Sequence, residues 1–212
     1  MFRSLPALCI ALAFAAPQAA GAYEQLPRQL ASLSPADFAR EIDVVDDPLE
    51  PAVVLSTHQG YARGRAIKGA HANNVHLRAL VDRASGRVTW QVWHELISVR
   101  GHKQVTAVHF LADGGLRQIA PFAVDHWLDQ CPATDAVGSC NQFTRIGFEL
   151  TEDMVREIAA AYAAGSREPW RLRFKVETGR DVTGGLAPAE AAGLLQAVEA
   201  WRGGPQARTA AR

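Results

Sequence analysis

From Trp170 to Glu177 the chain alternates without exception. Trp170, Leu172, Phe174 and Val176 fall on one side, Arg171, Arg173, Lys175 and Glu177 on the other. Successive side chains of a strand point to opposite faces, so this segment predicts a strand with one buried and one solvated face, as in antiparallel sheets. Ala52 to Ser56 is a short β-branched run. Val75 to Asp82 places Val75, Leu77, Leu80 and Val81 as apolar members, and Val88 to Val99 is rich in β-branched and aromatic residues. Both predict strands joined by a turn at Ala84-Ser85-Gly86. Gly101-His102 reads as a two-residue hairpin loop with glycine first, returning the chain along Gln104 to Ala112. Asp113-Gly114-Gly115 turns it again. Leu116 to Leu128 predicts two short strands broken near Pro121, and Phe143 to Leu150 one more.

Helical signals are fewer. Ser34-Pro35-Ala36-Asp37 has a capping hydroxyl, proline at the first helical position and an early carboxylate, predicting a short helix that stops near Ile42. Residues 23–33 read as an irregular entry. Asp43 to Pro51 reads as a solvated acidic turn in preference to a cation site. Thr151-Glu152-Asp153 opens a second helix with the stripe Met154, Val155, Ile158, Ala161 and Tyr162, ended by Gly165. Pro188 opens a third, with Ala191, Leu194, Leu195, Val198 and Trp201 on its core face. The pattern predicts an α+β fold, a mainly antiparallel sheet built from hairpins with two or three helices packed on one face. One domain spans residues 23–204, and residues 205–212 form a disordered tail.

The start of the chain changes the picture. Arg3, the apolar run Leu5 to Ala16 and the small-x-small site Ala20-Gly21-Ala22 predict a signal peptide over residues 1–22. The apolar run is shorter than the ~20 residues of a membrane span, and Cys9 lacks the context of a lipidation site. Cleavage after Ala22 leaves 190 residues with 21 basic and 22 acidic side chains, and no transmembrane segment. That balance gives no reason to expect nucleic acid as a partner. The expected location is periplasmic or secreted. There Cys131 and Cys140, with eight residues between them in a turn-rich stretch, are expected to form a disulfide. A loop this short adds about 2–3 kcal/mol in the loop-entropy picture.

Candidate chemistry is sparse. Between Thr57 and Asn74 periodicity disappears, and Gly60, Gly64 and Gly69 accompany Tyr61, Arg63, Arg65 and Lys68. Those four side chains are the candidate ligand-binding set, suited to an anion such as a carboxylate or phosphate. A solvated surface loop is the plainer reading. If Gly101-His102 is the hairpin loop, His94 lies opposite His109, close enough for two imidazoles to share Zn²⁺ or Cu²⁺. The apolar company of Val92, Leu96, Val105, Ala107 and Leu111 favours two structural histidines instead. His94-Glu95 begins like H-E-x-x-H, but Ser98 stands in the fifth place and the segment is strand-like. His58 or His71 beside a hydroxyl gives a third reading, a hydrolase, without any nucleophile elbow. Five tryptophans, Trp90, Trp93, Trp127, Trp170 and Trp201, read chiefly as core. Trp90 and Trp93 fall on opposite strand faces, so one of them is expected to be accessible.

Several segments together resemble a known pattern: Ser56-Thr57-His58-Gln59-Gly60, Val75-His76-Leu77-Arg78-Ala79, Val88-Thr89-Trp90-Gln91-Val92, the pair Cys131 and Cys140, Arg173-Phe174-Lys175 with Thr178-Gly179-Arg180-Asp181, and Gly185-Leu186-Ala187-Pro188-Ala189-Glu190. They resemble uncharacterised exported proteins of Gram-negative bacteria over most of the chain. The resemblance implies export and assigns no activity. The expectation is a periplasmic binding or envelope-associated domain without a cofactor, with an envelope protein or a small anionic ligand as partner. The alternative is a metal-binding protein or metal-dependent hydrolase using His94 and His109. No motif specifies a reaction, so enzyme and binding module both stay open. Intact mass of periplasm-derived protein, alkylated before and after reduction, checks the cysteine pairing: two thiols alkylating only after reduction are expected.

Overall fold

The computed structural model describes residues 25–58, 75–98, 101–128 and 142–204. The segment 1–22, Tyr61, Arg63, Arg65, Lys68, His71, Cys131, Cys140 and the tail 205–212 lie outside the described residues. Two short helices come first, α1 (Arg28–Ala31) and α2 (Pro35–Arg40). Ser34 caps α2 as the sequence predicts. Its hydroxyl accepts the Asp37 N–H while the Asp37 carboxylate accepts the Ser34 N–H, a reciprocal pair that satisfies two orphan donors. Those bonds, with Arg40, hold the Asp37 carboxyl down to about 2.

Five strands follow: β1 (Asp43–Val45), β2 (Ala52–Ser56), β3 (His76–Asp82), β4 (Val88–Ser98) and β5 (Val105–Ala112). Then come β6 (Gly115–Ile119), β7 (Ala123–Leu128), β8 (Gln142–Leu150), α3 (Glu152–Ala160), β9 (Trp170–Val176), β10 (Val182–Leu186) and α4 (Pro188–Gly203). All described pairings are antiparallel. There are two sheets where the sequence pattern suggested one. The six-stranded sheet has the order β1-β2-β3-β4-β8-β7, and the four-stranded sheet β10-β9-β5-β6.

The expected hairpin at Gly101-His102 is not formed. β4 pairs with β3 and β8, while β5 pairs with β6 and β9 in the other sheet. Residues 101–104 instead carry the chain between sheets, and Gly101 takes φ 98° there, a conformation that favours glycine. The turn at Asp113-Gly114 does make a hairpin. Both residues have positive φ, which suits the right-handed twist of the strands.

The inner faces meet in one apolar cluster. Leu77, Ala79, Trp90, Val92, Leu96, Ile146 and Phe148 come from the larger sheet, Val108, Phe110, Leu172, Phe174 and Leu186 from the smaller. Val155 and Ile158 of α3 and Leu194 and Val198 of α4 join them. β10 was hidden in the sequence because Val182-Thr183-Gly184-Gly185-Leu186 has weak strand propensity. Its glycines are required by contact: a Cβ on Gly184 would stand 2.7 Å from the His94 ring.

α4 also lies hard against α2. A Cβ on Gly193 would come within 2.5 Å of the Phe38 Cβ and 2.6 Å of the Pro35 carbonyl oxygen. Helix propensity alone would make Gly193→Ala stabilising by about 1 kcal/mol. The collision with backbone reverses the sign, and the variant is expected to lose about 1–3 kcal/mol, read as a lower melting temperature.

Candidate functional site

Alternation along β4 sends Trp90, Val92, His94 and Leu96 inward and Gln91, Trp93, Glu95 and Ile97 outward. The registers extend that outward face across neighbouring strands. Arg78 pairs with Gln91, His76 with Trp93, Glu95 with Arg145, Ile97 with Phe143, and Phe143 in turn with Trp127. Side chains in register share a face, so two tryptophans, two arginines and two phenylalanines gather on the outside of the larger sheet.

Their contacts are specific. The Arg78 guanidinium lies 5.0 Å from the Trp93 ring centroid, and the Phe122 ring meets Trp93 edge-on at 5.4 Å and 83°. Trp93 Nε1 donates to Gln91 Oε1 at 3.1 Å. The Arg145 guanidinium lies 4.8 Å from the Trp127 ring, which stacks on Phe143 at 5.2 Å and 7°. Gly147 makes room for the first group, since a Cβ there would reach within 2.7 Å of the Phe122 ring.

The face is electrically uneven. Arg145 has Glu95 at 3.6 Å, a loose pair. Arg78 has no ion pair among the described residues. Burial, and then the charge of Arg145, hold Arg78 below its ordinary value, with Asp43 acting the other way. Burial pushes the Glu95 carboxyl up, against the opposing pull of Arg145. The half-buried Arg78 and the more exposed Arg145 repel each other beside flat aromatic rings, so this face favours added negative charge. An anionic ligand there could take charge-assisted hydrogen bonds from a guanidinium and stack its plane on a ring.

One end of the face adjoins a buried polar junction. The β2–β3 ladder continues past Ser56, so that Thr57 N–H donates to the Leu77 carbonyl at 3.0 Å. The Thr57 hydroxyl accepts the Leu77 N–H at 2.8 Å and donates to Glu190 Oε1. Glu190 sits in the first turn of α4 at 1% exposure, where the helix N-terminus favours negative charge. On the outward side, the rings of His58 and His76 meet at 4.9 Å. Three of the segments quoted for the resemblance meet at this junction, those holding Thr57, Leu77 and Glu190.

The alternative reading of a His94–His109 metal pair falls with the hairpin that carried it. His94 faces the interior, fully buried opposite Ile146, its ring 4.7 Å from that of Phe174. His109 stands on the outer side of the smaller sheet opposite Gln118 and Arg173, and its Nε2 bonds Gln118 Oε1 at 3.0 Å. The two imidazoles therefore occupy opposite sides of the β5–β9 layer. Among the described residues no group of three or more His, Cys, Asp or Glu is placed to hold a metal ion. The candidate ligand set Tyr61, Arg63, Arg65 and Lys68 lies outside the described residues. Trp90 is buried and Trp93 half-exposed, as their opposite strand faces require. Sequence reasoning missed Arg78, Arg145, Phe122 and Phe143. Alternation puts Phe143, Arg145 and Gly147 on one face, but no signal in that segment names the strand beside it.

No protein-family model, no curated protein and no solved structure matches the chain. Among the described residues no helix is long and apolar enough to cross a membrane.

Thr57→Val removes the hydrogen bonds of the hydroxyl to Leu77 and Glu190 while keeping the shape. It is expected to lower unfolding free energy in urea by about 1–3 kcal/mol. Thr57→Ser, which retains the hydroxyl, should recover most of that loss.

Proposed function

We propose that this protein is an exported binding domain that takes a small, planar anion on the outer face of its larger sheet. The observation that carries the reading is the pairing of each guanidinium with a tryptophan: Arg78 over Trp93 and Arg145 over Trp127. The electrostatics support it. Arg78 lacks a carboxylate partner among the described residues and is pressed by Arg145, so an added negative charge relieves a repulsion already present. The rings support it through shape, because an aromatic surface selects a flat ligand over a spherical ion. The three-zone start of the chain and the resemblance to exported Gram-negative proteins support a periplasmic location. In that setting Cys131 and Cys140 would staple the domain near the end of β7 and the start of β8.

The chemistry is recognition rather than bond breaking. Arg forks supply two directed donors each, and their planar groups lose little freedom on binding because the tryptophan rings already restrain them. Glu95 and Asp125 flank Arg145 on the same face and would disfavour ligands carrying negative charge beyond that guanidinium.

Tryptophan emission provides the test. Benzoate is the planar probe and inorganic phosphate the non-planar one. Benzoate is expected to give a saturable change in emission, weakened by added salt, and phosphate a weaker one. Arg78→Gln and Arg145→Gln should each reduce benzoate affinity by about tenfold to a hundredfold, the range for losing a charged hydrogen bond. The same affinity in wild type and in the double variant, or no saturable response to either anion, would overturn the reading.

A further inference from the structure

At the β7 edge of the larger sheet, on the side away from Trp127, two more histidines come together. His102 follows the sheet-crossing Gly101, and His126 lies on β7, with ring centroids 4.8 Å apart and planes tilted by 47°. Each ring is held through the same nitrogen. His102 Nδ1 bonds the Phe143 carbonyl at 3.2 Å, and His126 Nδ1 bonds the Thr144 hydroxyl oxygen at 3.2 Å. These supports come from adjacent residues of β8, so both imidazoles are anchored to one strand.

A carbonyl oxygen only accepts. The neutral His102 ring therefore carries its proton on Nδ1, and its lone pair is on Nε2. Thr144 Oγ1 accepts the Lys103 N–H at 3.1 Å and keeps a second lone pair. That lone pair can take the Nδ1 proton of His126, which frees Nε2 of the second ring as well. Donation of the far N–H to a carbonyl or hydroxyl is the arrangement that orients metal-binding imidazoles and raises their basicity as ligands. Two Nε2 atoms each about 2.0–2.1 Å from one ion need ring centres a few ångströms apart, and the 4.8 Å between the centroids is compatible with that.

We propose that His102 and His126 form a two-imidazole site for a divalent transition ion of the Cu²⁺, Ni²⁺ or Zn²⁺ class, with water completing the coordination. Imidazole suits all three ions. His126 is exposed and His102 half-buried, so the site is reachable. The site is separate from the arginine–tryptophan face, so failure of either leaves the other standing.

Calorimetric titration of the full chain with Ni²⁺, with thiols alkylated so that cysteine cannot contribute, tests the assignment. One ion per chain is expected. His102→Ala and His126→Gln should each weaken it about tenfold or more, while His109→Ala should not. With Cu²⁺, electron paramagnetic resonance should show nitrogen coupling from two imidazoles in wild type and one in either variant. Absence of binding in wild type, or affinity unchanged in both variants because the ion sits at His58 and His76 or elsewhere, would overturn the proposal.

Discussion

Hydrogen bonding along both edges of β4 leaves that strand no freedom of register. It pairs with β3 over its first half and with β8 over nearly its whole length, so every side chain from Val88 to Ser98 has an assigned face. A slip of one residue would exchange Trp90, Val92, His94 and Leu96 for Gln91, Trp93, Glu95 and Ile97. The interior would receive a carboxylate and the outer surface four core residues. The core and the arginine–tryptophan face are thus two sides of one constraint. Neither can be altered along β4 without the other.

Below that strand the two sheets come close enough for the fully buried His94 ring to reach Phe174. The closeness sets the small residues around it, since Gly184 has no space for a side chain. At the other end α4 covers β2 and β3, and Glu190 reaches across to Thr57. A carboxylate removed from water is costly unless bonded. Its hydroxyl partner and its place at a helix N-terminus make it tolerable, and together they fix where the helix starts on the sheet.

Much of the local structure was legible because periodicity and capping are written within single segments. Ser34 with Asp37, Pro188 at the head of α4 and the alternation of Trp170 to Val176 each needed only nearby residues. Sheet membership was not legible in that way. Glycine at the first loop position suggested a hairpin after β4, yet a positive φ serves a crossing as well as a turn. That single ambiguity placed His109 beside His94 when it belongs to another sheet. β10 was missed for a related reason. Its Gly184 answers to the ring of His94, ninety residues earlier in the chain, and no local scale registers a demand of that kind. The site was visible only in fragments: the accessibility of Trp93 followed from alternation, whereas its company of Arg78 and Phe122 followed from registers among three strands and a turn.

The crossing at residues 101–104 has a counterpart between β6 and β7, which sends the chain back to the larger sheet. The path therefore weaves: four strands into one layer, a hairpin into the other, two strands back, and a last pair returning. Synthesised from its N-terminus, the chain cannot finish the larger layer before β8 emerges, and by then the β5–β6 hairpin has been made but still awaits β9. Neither layer closes while less than about two-thirds of the sequence is present. Nearly all its pairings beyond simple hairpins join distant segments, a topology that folds slowly and leaves strand edges uncovered for longer. Truncation from the C-terminus removes α4, β10 and β9 first, so it leaves every strand of the larger layer in the chain and deprives the β5–β6 hairpin of the rest of its own.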